Sequence, residues 1–457
     1  MALNKAPYKG TRDFFPADMR LRNYIFQKMS EVSEKFAYEA YDGPILEEVE
    51  LYKAKSGEEL INDQIYSFMD RGERFVAIRP EMTPTVARMV AQIHKEVAKP
   101  LRWYSIPNLM RYEKPQKGRL REFYQYNADI FGAGTFGDLE ILQLSVEVMK
   151  SFGATAEQFH IHVNDRRLVD FVFHHLIKLN PEANKKLYKL VDKKNKMPAE
   201  KFDAEVMSIT NDPIAAAIFN DYVSVTNIKD LESFVKKHLN LAEKIDFLLD
   251  EPTYAQHETV STSVRPLFSL FKKFENAGIA KYVKFDPSIV RGLDYYTGMV
   301  FEIFDKHPDN NRAIAGGGSY ANLLQIFNEP ALEGVGIGLG EVPLMEFLKT
   351  HNLMKDFSKP EFDVIIGYMT AAGEEIAYEV SSALRAEGLK VELYFGEVKP
   401  KKIYSQTERK NFSAVIMIGE SEAATGEVQV KHLKSQKQEN ISMKDIAKIV
   451  SLVKGNG

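Results

Sequence analysis

Four apolar residues near the N-terminus, Ile25, Met29, Val32 and Phe36, recur at spacings of four, three and four. That is the period of one helix face, and Pro16 upstream suits a helix's first turn. The helix is predicted to end before Asp42-Gly43-Pro44. Short apolar runs of strand character follow at 75–78, 102–106, 123–126 and 128–131. Phe159, Ile161 and Val163 alternate with polar neighbours, as a half-buried strand does. From about Arg166 to Leu249 the chain turns Lys-rich and reads as helical, which predicts an inserted helical segment. Strand texture returns at Val290 and continues through glycine-rich stretches to Val342. A helix is predicted from Leu344 to about His351, then a polar linker over 352–361. The remainder alternates: strand 364–366, helix 374–385, strand 391–394, helix 401–411, strand 415–418. Strand and helix in strict turn imply a parallel or mixed sheet covered by helices. The chain therefore reads as an α/β (α+β) protein, with no internal repeat.

Composition mainly excludes. The 457 residues suit two to four domains, at roughly 100–200 residues each. A hydrophobic share of 44% and a charged share of 27% are those of an ordinary globular chain. A net charge of -4 argues against a basic coat for nucleic acid but leaves room for a local basic patch. With no cysteine there are no disulfides or thiolate metal sites. The opening MALNKAPYKGTRDFF has no apolar core of signal-peptide length. No window reaches the roughly 18 apolar residues of a membrane span. The expected setting is the cytoplasm, with no membrane partner.

Chemistry concentrates in Arg111-Tyr-Glu-Lys-Pro-Gln-Lys-Gly-Arg119, followed by Arg121-Glu-Phe-Tyr-Gln125. Physically this is two strands joined by a basic loop, which aims several guanidiniums at one place. The planar guanidinium fork binds phosphate bidentately. Composition alone favours the blander reading, a solvated basic hairpin.

Residues 111–125 resemble motif 2 of class II aminoacyl-tRNA synthetases, in its histidyl form. Arg79-Pro-Glu-Met-Thr83 resembles the family's RPE-x-T segment, and Arg291-Gly-Leu-Asp-Tyr-Tyr296 its histidine-specific RGLDYY signature. Ala315-Gly-Gly-Gly-Ser-Tyr320 resembles the second histidine signature, and Lys9-Gly-Thr-Arg-Asp13 the family's opening. The five matches fall in family order across nearly the whole chain.

The resemblance implies a class II synthetase-like core on a mixed, mainly antiparallel sheet. That core would span 1–165 and 251–350, with a helical insertion at 166–250 and a C-terminal α/β anticodon-binding domain at 362–457. It implies activation of histidine with ATP to histidyl-adenylate, releasing pyrophosphate, and transfer to the 3' end of tRNA(His). It also implies Mg²⁺ alongside ATP, and a homodimer whose interface includes the N-terminal segment and the stretch around Pro44.

Site roles follow residue by residue. Arg111 would hold the α-phosphate, Glu113 the adenine amino group, and Arg119 the pyrophosphate end or the tRNA acceptor. Glu81, Thr83 and Gln125 would hold the amino end of histidine. Asp129 and Tyr296 would bracket the imidazole, an acceptor and a hydroxyl matched to its two nitrogens. Tyr295 and Tyr320 would line the same pocket. Arg291 would sit against the α-phosphate and carboxylate where charge develops. Adenylation is an in-line displacement by a carboxylate that is already ionised, so positioning and fixed positive charge suffice.

Two positions depart from the family pattern. The third motif usually ends Gly-Leu-Glu-Arg, and Glu341 stands at the Arg position. The usual Arg and Asp flanking the second-signature Tyr are Ser319 and Ala321. These departures are the main support for an alternative, a non-catalytic paralogue serving as regulatory subunit of ATP phosphoribosyltransferase. The C-terminal domain and the intact Arg111, Arg119 and Arg291 count against it. Other signals are weaker. The GxGxxA pattern at 316–321 lacks a βαβ context. His160 and His162 share a strand face without an acid at metal spacing, so no metal-binding residues are expected. Lys399, Lys401, Lys402, Arg409 and Lys410 lie on or near one helix, a solvated face or a phosphate track.

Overall fold

The apolar stripe near the N-terminus lies on the helix Pro16–Lys35, with Ile25, Met29 and Val32 buried and Phe36 just past its end. The computed structural model describes residues 3–54, 60–191, 194, 197–239, 258–290, 295–310, 312–358, 361–395 and 399–455. They group into two units: Met1–Asp13 with Ile25–Met354, and Phe14–Tyr24 with Lys355–Gly457.

The strands of the first unit are β1 (Glu39–Ala40), β2 (Leu46–Glu48), β3 (Tyr66–Met69), β4 (Phe75–Ile78), β5 (Leu101–Ser105) and β6 (Asn108–Met110). They continue with β7 (Glu122–Phe131), β8 (Phe159–Asp165), β9 (Val283–Phe285), β10 (Met299–Asp305), β11 (Ala313–Tyr320) and β12 (Gly334–Gly340). The main sheet runs β1-β5-β7-β12-β11-β10-β8-β9, and β6 also pairs with β7. Only its outer pairs, β1–β5 and β8–β9, are parallel, so the sheet is mixed and mainly antiparallel as expected. The small sheet β2-β4-β3 stands apart.

The runs at 123–126 and 128–131 are one strand, not two. Asn127 between them pairs in register with both Ser105 and Gly338. A polar residue in a strand is no interruption when it faces a cavity. The helix Thr135–Ser151 lies against β7 and β12 and buries Ile141, Leu142 and Leu144 among others. The helix expected from Leu344 begins three residues earlier, at Glu341, directly where β12 ends. The stretch after β8 is helical at Pro181–Val191, Ala199–Thr210, Pro213–Ser224 and Ile228–His238. Asp212 and Asn227 accept hydrogen bonds from the first backbone N–H groups of the last two helices, which is what caps such ends.

The second unit contains β13 (Phe362–Tyr368), β14 (Val391–Leu393), β15 (Phe412–Ile418), β16 (Glu427–His432) and β17 (Gln438–Ser442). Its sheet order is β14-β13-β15-β16-β17. The first three strands are parallel, and β16 and β17 add an antiparallel edge that the alternating pattern did not reveal. Alternation along β13 sends Val364 and Ile366 into a core with Ala377, Val380 and Ile449, and Ile365 into one with Ile403. Each face is thus covered by helix.

Candidate active site

Strand register builds the floor of the site. One row across the main sheet reads Asn127, Gly338, Gly316, Glu302, His162, and the next reads Asp129, Gly336, Gly318, Val300, Asn164. Glycines at the centre of both rows leave a trough between side chains at the flanks. A Cβ on Gly336 would lie 2.1 Å from the Asp129 carboxylate, and one on Gly318 would lie 2.8 Å from the Tyr296 ring. No side chain fits at either position.

Over this trough lies a cavity of about 440 Å³. It brings together Glu81, Thr83, Arg111, Arg119, Gln125, Asp129, Tyr295, Tyr296 and Tyr320. Glu113 joins Arg111 and Arg119 in a second cavity, of about 1070 Å³, over the outer part of the same floor. Arg291 lies outside the described residues, as do 292–294.

At the inner end the Tyr320 hydroxyl donates to Asp129 Oδ1 at 2.6 Å. Both are buried. Burial pushes the Asp129 carboxyl up to about 7, against the lowering effect of the Tyr320 hydrogen bond. Desolvation penalises the ionised form, so a donor brought into the pocket favours ionisation. Tyr295 stands between Tyr296 and Tyr320, with ring centroids 4.6 and 6.0 Å away. Burial raises the phenols of Tyr295 and Tyr320 well above their ordinary range, so both remain neutral donors.

At the arginine-rich end, β6 and β7 are the two strands of the basic hairpin, and 111–121 is its loop. Arg111 donates from Nε to the Pro80 carbonyl at 2.8 Å and lies over the Phe123 ring. The RPE-x-T segment therefore aims the arginine. Arg79 of that segment is itself buried, donating to Asp42 Oδ1 and the Gly43 carbonyl at 2.7 Å and to the Asn108 carbonyl at 2.9 Å. Arg119 is ion-paired with the buried Glu113. Arg121 points elsewhere, onto the Tyr112 and Tyr8 rings.

The departures have structural counterparts. Glu341 is buried and accepts a bidentate pair from Arg12, Nη1 to Oε1 at 3.0 Å and Nη2 to Oε2 at 2.9 Å. Ser319 and Ala321 line a separate cavity of about 240 Å³ with Asp138, Arg167 and Glu333. There the Ser319 hydroxyl donates to Asp138 at 2.5 Å, and Arg167 holds Asp165 through Nε and Nη2. Burial pushes the Asp138 carboxyl up to about 7.

Sequence reading did not single out Asn127, Glu302 or Arg12. Asn127 stands at two-residue spacing between Gln125 and Asp129, and Glu302 is the one acid among apolar residues 299–304. That spacing was the available signal. Nothing local marked Arg12 as the partner of a residue 329 positions away.

A mixed sheet whose glycine floor joins a buried acid–tyrosine pocket to an arginine-lined cavity defines a class II aminoacyl-tRNA synthetase core. The histidyl-tRNA synthetase family profile matches residues 10–340, and an anticodon binding domain profile matches 363–451. The chain belongs to the histidyl-tRNA synthetase family. It is 40% identical to the histidine–tRNA ligase of Leptospira biflexa over 96% of this chain and 95% of that one. The structure is similar to that of histidyl-tRNA synthetase from Nostoc, with TM-score 0.79, 21% identity, and coverage of 99% and 100%. It is also similar to a Bacillus halodurans protein described as an ATP phosphoribosyltransferase regulatory subunit/histidyl-tRNA synthetase, with TM-score 0.74, 22% identity, and coverage of 92% and 99%. Among the described residues no helix is long and apolar enough to cross a membrane.

Proposed function

We propose that this chain activates histidine with ATP and attaches it to tRNA(His). The carrying observation is one continuous floor that has the Asp129–Tyr320 pair at its inner end and Arg111 towards its outer end. Asp129 accepts one imidazole N–H, and Tyr296 meets the other nitrogen. Tyr320 holds Asp129, and Tyr295 walls the pocket. Glu81, Thr83 and Gln125 take the ammonium group. The histidine carboxylate then attacks the α-phosphorus. A carboxylate–phosphorus bond forms, the bond to the β-phosphate bridging oxygen breaks, and pyrophosphate leaves. Arg111 and Arg291 stabilise the charge on the α-phosphate. Glu113 reads the adenine amino group once Arg119 turns from it to the phosphates or the tRNA acceptor. A terminal hydroxyl of tRNA next attacks the carbonyl carbon, and AMP departs.

Mg²⁺ fits the donor set: it keeps waters and needs only one or two carboxylates beside substrate phosphates, and Glu302 lines both cavities. When bound it would neutralise phosphate charge.

The domain reading is a catalytic core at 1–165 and 251–350, a helical insertion at 166–250, and an anticodon reader at 362–457 that uses the basic run 399–410. A cytoplasmic homodimer completes it. Exposed Ile45, Leu46, Phe68 and Phe75, beside Pro44 and on the small sheet, support the pairing surface. The test is histidine-dependent exchange of pyrophosphate into ATP by purified protein. Binding of histidine and ATP without exchange overturns the reading in favour of a regulatory paralogue.

A further inference from the structure

The position at which the family's third motif supplies an arginine to ATP is taken by Glu341, and Arg12 closes off its carboxylate on both oxygens. Neither residue lines the two cavities over the floor. Arg119, another cation of the motif 2 loop, is ion-paired with Glu113. The outer cavity has a third arginine, Arg312, immediately before β11. It is exposed, and among the described residues it has no ion-pair partner.

Arg312 is held next to the motif 2 loop. Its Cδ lies 3.8 Å from where a Cβ on Gly118 would sit, and Lys117 Nζ donates to Asn310 Oδ1 at 3.3 Å. The turn that presents it is pinned. Asn310 donates to Asp305 Oδ2 at 2.7 Å and to Thr350 Oγ1 at 3.0 Å, while His351 bonds the other Asp305 oxygen at 2.7 Å. Asp305 also accepts from the His307 backbone N–H. With the neighbouring backbone anchored this way, less of the chain has to be ordered when the Arg312 side chain closes on a ligand.

We propose that Arg312 binds the β- and γ-phosphates of ATP, supplying from its place just before β11 the positive charge that residue 341 lacks. In-line displacement sets the geometry. The attacking carboxylate comes from the histidine pocket, so pyrophosphate leaves on the far side, into the outer cavity. Arg111 lines both cavities and suits the α-phosphate. Arg312 lines only the outer one.

This rests on the ATP-dependent reading above, and calorimetry separates the two. Wild type, Arg312→Ala and Lys306→Ala are titrated with ATP and with AMP, and histidine-dependent exchange is measured in parallel. Lys306 is the control, a cation on the same turn whose ammonium donates to the Ala156 carbonyl. Loss of a charge-assisted contact should raise the ATP Kd of Arg312→Ala about tenfold or more, with AMP within twofold and Lys306→Ala unchanged. An ATP Kd within twofold of wild type overturns the proposal. So does an equal loss for ATP and AMP, or an equal loss in Lys306→Ala. The expected binding pattern without exchange by the wild type keeps the Arg312 contact and overturns the ligase reading. A wild type that binds no ATP overturns both.

Discussion

Asp129 carries a carboxyl held near 7 by burial, so its charge changes within the working range of the pocket. Bound histidine needs an acceptor for an imidazole N–H, and the ionised form is the better one. The KM for histidine should therefore fall as pH rises from 6 to 8. Asp129→Asn should raise that KM about tenfold or more and remove the inflection near 7, leaving only the substrate imidazole's own titration near 6.5. Exchange assays at saturating ATP across this range check it, and a variant that keeps the inflection removes Asp129 from the pocket. Asp138 behaves differently, because it faces the separate cavity. Its folded value of about 7 exceeds the ordinary aspartate value of 3.8, so between those values the folded state binds more protons than the unfolded one. Stability from this group is present at low pH and lost as pH rises towards 7, by at most about 4 kcal/mol. Asp138→Asn should therefore melt above wild type at pH 8, with the gap shrinking towards pH 5. A gap of opposite sign at pH 8 would show that Arg167 outweighs burial. The motif residues were legible because each has a chemical reason to be its own type. The burial that sets the titration of Asp129 and Asp138 was not, since it depends on side chains brought in from distant strands.

Strands and helices convert these residues into a site. β12 contributes mostly by the side chains it lacks. Gly336→Ala would drive a methyl into the Asp129 carboxylate, so its histidine KM should rise at least tenfold, with the ATP KM within about twofold. Equal losses for both substrates in exchange kinetics would point to a distorted sheet instead. The helix Glu341–Thr350 opens with a carboxylate that Arg12 neutralises. Arg12→Ala leaves that buried charge unpaired and should cost about 3 kcal/mol in denaturant unfolding. Arg12→Leu with Glu341→Leu together should recover most of it, and a loss for the pair matching the single change would refute the ion-pair account. Element type was readable wherever one periodicity dominated, as in β8 or in the helix from Pro16. It failed at Asn127, a polar position that faces the trough rather than ending a strand. It failed again at β16 and β17, whose charged and amide residues on the open face hide the buried Val428, Val430 and Ile441.

At the scale of the molecule, the division between Met354 and Lys355 falls inside the polar stretch expected to be a linker. The C-terminal unit has a sheet with apolar clusters on both faces, enough for a core of its own. Its basic helix Pro400–Lys410 carries cations in two places. Arg409 and Lys410 sit at the C-terminal end, where the helix dipole favours them, and Lys410 is already paired with Glu392. Lys399, Lys401 and Lys402 stand at the N-terminal end, where the dipole disfavours positive charge. A tRNA phosphate should therefore be held better at the N-terminal end of this helix than at Arg409 and Lys410. Arg20 donates to the Phe357 and Ser358 carbonyls, so a truncated chain should end at Ser358. The shortened protein should retain histidine-dependent pyrophosphate exchange within about threefold, because every described residue that lines the two cavities precedes position 344. Charging of tRNA should fall by at least about tenfold, since phosphate contacts position the RNA and base contacts at an exposed loop specify it. Replacing Lys399, Lys401 and Lys402 by Gln in the full chain should reproduce part of that loss as a raised KM for tRNA, with exchange unaffected. Size and melting curves measured on both proteins distinguish lost recognition from a destabilised core. A folded truncated protein that charges tRNA as well as the full chain does would refute the division of labour between the two units.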